Sequence, residues 1–114
     1  SDRIRGRTQN GQLDLTAMIL RTVHMTFKPE AVPEFLILFA QHRKAIAQQP
    51  GCRSVQLIQS LDTPEELGTV STWDNQESLD AYRHSALFAV VWPATKALFA
   101  DRPQAKSHQL LWAS

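Results

Sequence analysis

The stretch "CRSVQLIQSLDTPEELGTVSTW", residues 52–73, contains two strand-like runs separated by a polar turn sequence. Residues 52–60 alternate between polar and apolar side chains, which is the period of a half-buried strand. The "LDTPEE" segment that follows carries residues typical of turns, and residues 67–73 then return as a second strand. The stretch therefore predicts a β-hairpin, and the elements on either side of it decide the fold.

The segment before the hairpin predicts one strand followed by one helix. "ILRTVHMTF", residues 19–27, alternates and is rich in β-branched side chains, as strands are. "KPEAVPEF" places prolines where a helix begins, and proline is tolerated in a first turn. "QQPG", residues 48–51, is a strong helix stop. Four residues between these signals share one predicted helix face: Phe35, Phe39, His42 and Ile46.

The segment after the hairpin predicts a helical region in two parts and a last strand. Asp74 and Glu77 resemble a capping box at the start of the first part. Ser85 is placed to cap the second part, and Pro93 predicts a kink or a restart within it, because proline lacks the amide hydrogen. Residues 105–112 then read as a strand.

The resulting order, β-α-β-β-α-β, predicts an α+β fold of the ferredoxin-like split β-α-β type, with a four-stranded antiparallel sheet. Helices cover one face of such a sheet, and the other face needs a cover of its own. A second copy of the chain is the simplest cover, so we expect a homodimer that forms an α+β barrel through its sheet faces. We assign residues 1–17 to a flexible polar segment and residues 18–114 to the folded domain.

The composition limits the classes of function. The 114 residues are 43% hydrophobic and 20% charged, with a net charge of +1, which argues against binding to nucleic acid or to a membrane surface. The single cysteine, Cys52, excludes an intramolecular disulfide. No apolar run approaches the roughly 20 residues of a membrane span, and no signal peptide is evident. These features predict a cytoplasmic protein.

Three segments, "VHMTFKPEAVPEFL", "QPGC" and "TWDNQESLDAYRHSALF", resemble the antibiotic biosynthesis monooxygenase (ABM) domain family of dimeric α+β barrel proteins. The similarity covers about residues 18–112. It implies a small oxygenase without metal, flavin or haem, in which a deprotonated electron-rich aromatic substrate reacts directly with O₂. Relatives also include quinol oxygenases, haem-degrading enzymes and isomerases, so fold alone does not settle the function.

The resemblance also argues against haem as a cofactor. Haem-degrading relatives imply an asparagine, a tryptophan and a haem-ligating histidine at positions occupied here by His24, Tyr82 and Trp92. None of the three matches. The histidines show no metal-ligand spacing with a nearby carboxylate either, so we predict no metal and no cofactor.

His24 is the first candidate for catalysis. We expect it in the middle of the first strand, with Thr22 and Thr26 on its face, bordering the helix-covered cleft that the resemblance implies. An ordinary pKa of about 6.5 suits a base that removes a phenolic proton, and replacement of His24 by alanine is then expected to abolish turnover while the dimer still folds. The alternatives are a buried histidine bonded to a backbone carbonyl, or one at the dimer seam.

Five further residues complete the candidate site. Tyr82 is a candidate hydrogen-bond donor to a substrate oxygen, and His84 is either a second acid/base or a cap for local backbone groups. The expected substrate-binding residues are Trp73, Phe88 and Trp92, each of which has core packing as its alternative role.

The predicted function is cofactor-free monooxygenation of a small aromatic or quinol-like substrate with O₂. One alternative is a protein that binds a small ligand without turnover. The other is an isomerase or lyase that uses the same histidine and tyrosine.

Overall fold

The computed structural model describes residues 17–114. Of the flexible segment predicted for residues 1–17, all but Ala17 lies outside the described residues. The boundaries given for the folded domain, residues 18–114, stay a prediction.

The fold is the predicted α+β ferredoxin-like arrangement. Its four strands are all antiparallel to their neighbours, in the order β2-β3-β1-β4. The two central strands, β1 and β3, therefore come from opposite sides of the first helix in the sequence. The strand bounds are Ile19–Thr26 (β1), Cys52–Gln59 (β2), Glu66–Trp73 (β3) and Gln104–Gln109 (β4).

Three α-helices connect the strands. A short 3₁₀ turn, Pro29–Ala31, leads into α1, Val32–Ala47, and the two prolines of this region lie where helix geometry tolerates them. The helical region after the hairpin is divided into α2, Gln76–Arg83, and α3, Ala86–Lys96. None of these helices is both long and apolar enough to cross a membrane.

Two local predictions about the helices need correction. Asn75, not Asp74, caps α2, since its side-chain oxygen accepts a hydrogen bond from the amide of Ser78 at 2.8 Å. Asp74 instead forms an ion pair with Arg53 on β2. The restart of the helix predicted at Pro93 is wrong as well, because α3 passes through this residue as one helix, whereas the alternative, a kink at Pro93, stays a prediction. The cap predicted at Ser85 is confirmed, at 3.1 Å from the amide of Phe88.

The hydrophobic core lies between the helices and one face of the sheet. Met25, Phe27, Phe35 and Leu67 form its centre, each 3% exposed or less. The rings of Phe27 and Phe35 stack with their centroids 4.3 Å apart, which fixes the start of α1 against β1. Val23 and Met25, which alternate along β1, therefore face the helices.

No helix of the described part of the chain packs on the opposite face of the sheet. Its side chains include His24, which lies 3.6 Å from a carboxylate oxygen of Glu66, and Thr22, which lies 3.4 Å from Nε2 of His108. Ile58 on β2 is 55% exposed. This mixed polar and apolar surface is the face for which the sequence predicts a cover.

Candidate functional site

A cavity of about 260 Å³ lies between the helices and the sheet. We call it the helix–sheet cavity. All four strands contribute to its floor, and α1, α2 and α3 form its walls. Because an apolar cavity of about 150 Å³ holds benzene, this one has room for a ligand of one or two fused rings.

Aromatic side chains form a continuous wall of the helix–sheet cavity. The ring of Trp73 stacks on Tyr82 with centroids 5.1 Å apart, and Tyr82 meets Phe88 edge-on at 5.2 Å. Phe88 in turn stacks on Trp92 at 5.8 Å. The end of β3, the helix α2 and the first two turns of α3 thus bring together all four predicted aromatic residues, and all four line the cavity.

Trp73 belongs to the core as much as to the cavity. Its side chain is 1% exposed, and its indole N–H donates to Oγ of Ser71 at 2.9 Å. A polar group that is buried in this way normally needs such a partner. Trp73 therefore has the packing role that the sequence left open, and it also lines the cavity.

Tyr82 is the one predicted catalytic side chain that lines the helix–sheet cavity. Burial, with a smaller effect from the nearby Cys52 thiol, raises the pKa of Tyr82 to about 12. The phenol is thus a neutral hydrogen-bond donor at physiological pH and a poor base. Within residues 17–114 its hydroxyl has no hydrogen-bond partner, which leaves it available to a ligand.

The expected position of His24 is wrong. Its side chain is 52% exposed, lies on the open face of the sheet beside Glu66, and does not line the helix–sheet cavity. The reason is the strict alternation of β1, since Val23 and Met25 on either side of it point into the core. His24 therefore lies on the face where the seam of the expected dimer would be, which was one of its alternatives.

His84 also lies away from the helix–sheet cavity. It is an exposed residue at the end of α2, and its Nδ1 lies 2.8 Å from the carbonyl oxygen of Asp80. This contact matches the alternative in which His84 satisfies local backbone groups. The structure thus brings Tyr82 and the aromatic side chains together but separates both histidines from them.

Sequence reasoning missed two arginines of the helix–sheet cavity, Arg21 and Arg83. Nη1 of Arg21 donates to Oγ of Ser107 on β4 at 2.9 Å. Burial lowers the pKa of Arg21 below its usual value, and the positive charge of Arg83 lowers it further. A signal was present for Arg21, because it shares the strand face of Val23 and Met25.

The described residues offer no evident metal site. No three histidine, cysteine, aspartate or glutamate side chains come together anywhere in residues 17–114. The polar side-chain groups of the residues that line the helix–sheet cavity are instead hydroxyl, guanidinium and indole N–H groups. Such groups bind oxygen atoms and anions of a ligand.

Comparison with known proteins assigns the chain to a family. Residues 18–91 match the sequence model of the antibiotic biosynthesis monooxygenase (ABM) family. This match spans more than half of the chain, and the protein therefore belongs to the ABM family. Among curated proteins, none matches the chain.

Solved structures agree on the fold at low sequence identity. A conserved protein from Methanosarcina mazei Go1 is 23% identical with a TM-score of 0.80, and the alignment covers 83% of this chain and 94% of that one. Rv0793 from Mycobacterium tuberculosis is 18% identical with a TM-score of 0.79, over 85% and 98% of the two chains. A variant of SnoaB, a cofactor-independent oxygenase from Streptomyces nogalater, is 18% identical with a TM-score of 0.73, over 81% and 91%.

Proposed function

We propose that this ABM-family protein is a cofactor-independent monooxygenase of small aromatic or quinol-like compounds. The observation that carries the proposal is the helix–sheet cavity, where an aromatic wall and the neutral phenol of Tyr82 surround room for a flat ligand. SnoaB, a cofactor-independent oxygenase that shares the fold at 18% sequence identity, also supports the proposal. The substrate-binding residues in this proposal are Trp73, Phe88 and Trp92.

The chemistry asks little of the protein beyond binding and charge stabilisation. An acidic phenol or an activated ring CH₂ group loses a proton, and the resulting anion transfers an electron to O₂. The reduced oxygen then bonds to the ring carbon, and the O–O bond breaks. One oxygen atom stays on the ring as a carbonyl. The other leaves as water with two hydrogen atoms of the substrate, which come from the CH₂ group or from the phenolic O–H and the ring C–H. Tyr82 donates a hydrogen bond to the substrate oxygen, and the apolar wall excludes water from the intermediates.

The proposal assigns the proton transfer to no histidine. Neither His24 nor His84 lines the helix–sheet cavity, and no aspartate or glutamate of the described part of the chain does so. The guanidinium groups of Arg21 and Arg83 favour the deprotonated form of a bound substrate, because a nearby positive charge lowers the pKa of an acid. The proton then passes to solvent water.

Oxygen uptake tests the proposal. With 1,4-dihydroxynaphthalene and 2-methylhydroquinone as substrates, we expect chelator-treated protein to consume O₂ well above the rate without protein. With ¹⁸O₂, mass spectrometry of the hydroxyquinone formed from 1,4-dihydroxynaphthalene is expected to show one labelled oxygen atom. The variant Tyr82→Phe removes only the hydroxyl and is expected to lower kcat about tenfold, which corresponds to one lost hydrogen bond.

The matched control is His24→Gln, whose side chain lies on the open sheet face. We expect it to retain the wild-type rate, contrary to the expectation from the sequence. If His24→Gln abolishes turnover while the protein stays folded, the assignment of the reaction to the helix–sheet cavity is wrong.

A second candidate function is ligand binding without turnover. The same absence of imidazole and carboxylate groups from the cavity lining, within residues 17–114, favours it. Tight binding of the two compounds without O₂ uptake would support this function over the first. The isomerase or lyase alternative loses support, since it needs an acid/base pair in contact with its substrate.

We further propose that the protein is a cytoplasmic homodimer in which a second copy covers the open sheet face. The open sheet face, which no helix of residues 17–114 covers and on which Ile58 is exposed, supports the dimer. The single cysteine is consistent with a reducing compartment. Light scattering on the purified protein is expected to give twice the chain mass of 12.9 kDa, and a stable monomer at high concentration would contradict this assembly.

A further inference from the structure

Two guanidinium groups at the helix–sheet cavity have no acidic partner among residues 17–114. Arg21 lies in the first half of β1, opposite Ser71 on β3 and Ser107 on β4, and its hydrogen bond goes to the neutral hydroxyl of Ser107. Arg83 ends α2 and makes no hydrogen bond or ion pair through its side chain with any residue in the described range. By contrast, Arg53 on the same sheet is paired with Asp74.

Over residues 17–114, the lining of the helix–sheet cavity offers no compensating negative charge. Arg21 and Arg83 are its charged members, and no acidic side chain from residues 17–114 joins them. Burial lowers the pKa of Arg21, and the positive charge of Arg83 lowers it further. Two like charges beside a partly desolvated space attract an anion, and guanidinium groups match the planar geometry of a carboxylate.

The aromatic wall of the helix–sheet cavity indicates which kind of molecule carries the anionic group. Trp73, Tyr82, Phe88 and Trp92 present rings in succession, and flat apolar ligands pack well on such a surface. The volume of about 260 Å³ limits the ligand to one or two fused rings. The cavity thus combines a hydrophobic wall for rings with a cationic end for a charged substituent.

We propose that the helix–sheet cavity selects aromatic compounds that carry a carboxylate, which Arg21 and Arg83 bind together. The inference rests on the proposed function in one respect, since it takes this ligand to be the substrate. The competing role for Arg83 is purely structural, because a cation at a helix C-terminus stabilises the helix dipole. That role affects folding and predicts no preference among ligands.

The test compares 2-naphthoate with 2-naphthamide, which have the same rings and differ in charge. Binding is measured by calorimetry on the wild type and on Arg21→Gln and Arg83→Gln. We expect naphthoate to bind at least tenfold more tightly than naphthamide, and each variant to weaken naphthoate binding about tenfold or more. Naphthamide binding is expected to change less than twofold. The matched control is Arg102→Gln, the same change of charge at an exposed loop position.

Three outcomes overturn the proposal. The first is equal affinity of the wild type for the two compounds, and the second is no detectable naphthoate binding at millimolar concentration. The third is an equal loss for both compounds in Arg83→Gln, which a structural role predicts. Since Arg83 is exposed, its variant is expected to fold even if Arg21→Gln does not.

The result is separable from the oxygenase test. Selective naphthoate binding that depends on both arginines, without O₂ uptake by any substrate, supports the anion site and contradicts the proposed reaction. O₂ uptake with no preference for carboxylated compounds supports the reaction and contradicts the anion site.

Discussion

Replacing Trp73 with alanine is expected to lower the free energy of unfolding by about 3–5 kcal/mol, the usual loss for a buried tryptophan. The indole is 1% exposed, stacks on Tyr82 and donates to Ser71, so the change leaves a void and removes the donor to a buried hydroxyl. Domains are typically stable by about 5–15 kcal/mol, so the variant loses a large share of its stability. Urea unfolding followed by circular dichroism measures the loss.

Trp112 supplies the matched control for this prediction. It is 77% exposed, and Trp112→Ala is expected to change the free energy of unfolding of the isolated chain by less than about 0.5 kcal/mol. Similar losses in the two variants would mean that Trp73 does not anchor the helices to the sheet. Comparison at equal protein concentration keeps any association between copies the same in both measurements.

Gly51→Ala is the second substitution with a large expected effect, a loss of about 2–5 kcal/mol. Gly51 has a φ of 82°, where a side chain costs about 1–2 kcal/mol. A Cβ atom at this position would also overlap Oγ and Cβ of Ser78 in the first turn of α2, and such overpacking costs about 1–3 kcal/mol more. Thermal or urea unfolding of the purified variant measures the sum.

The double variant Gly51→Ala/Ser78→Gly separates the two causes. It removes the overlap but keeps the unfavourable φ, and it adds a glycine to α2 at a cost of about 0.5–1 kcal/mol. We expect it to be more stable than the single variant and less stable than the wild type. If the second change gives no recovery, the overlap with Ser78 is not a source of the loss.

The order and type of the main elements could be predicted because their signals are local. The alternation in residues 19–27 and 52–60 and the stop signal at residues 48–51 each reflect neighbouring side chains. The structure places strands or a helix end at all three. The cap of α2 was assigned one residue too early because Asp74 and Asn75 are both good cap residues, and only the ion pair with Arg53 separates them.

The candidate site was predicted only in part because alternation gives two faces without saying which one the helices cover. The apolar residues Val23 and Met25 indicate the covered face, and His24 then falls on the other. The aromatic residues were easier to predict, since bulky rings on helices that pack on a sheet, or at the end of a strand beneath them, tend to contact the core. Arg21 breaks the pattern, as a charged residue on the apolar face, and this exception marks the cationic end of the cavity.

The pairing of β1 with β4 has a consequence for folding during synthesis. This ladder joins Ile19 to Gln109, near the two ends of the described chain, and β1 lies in the interior of the finished sheet. Contacts between such distant residues form slowly. During synthesis one border of β1 stays without its partner until β4 has left the ribosome. An unpaired strand edge can pair with the wrong strand or with another chain. We therefore expect the nascent chain to be most prone to aggregation along β1.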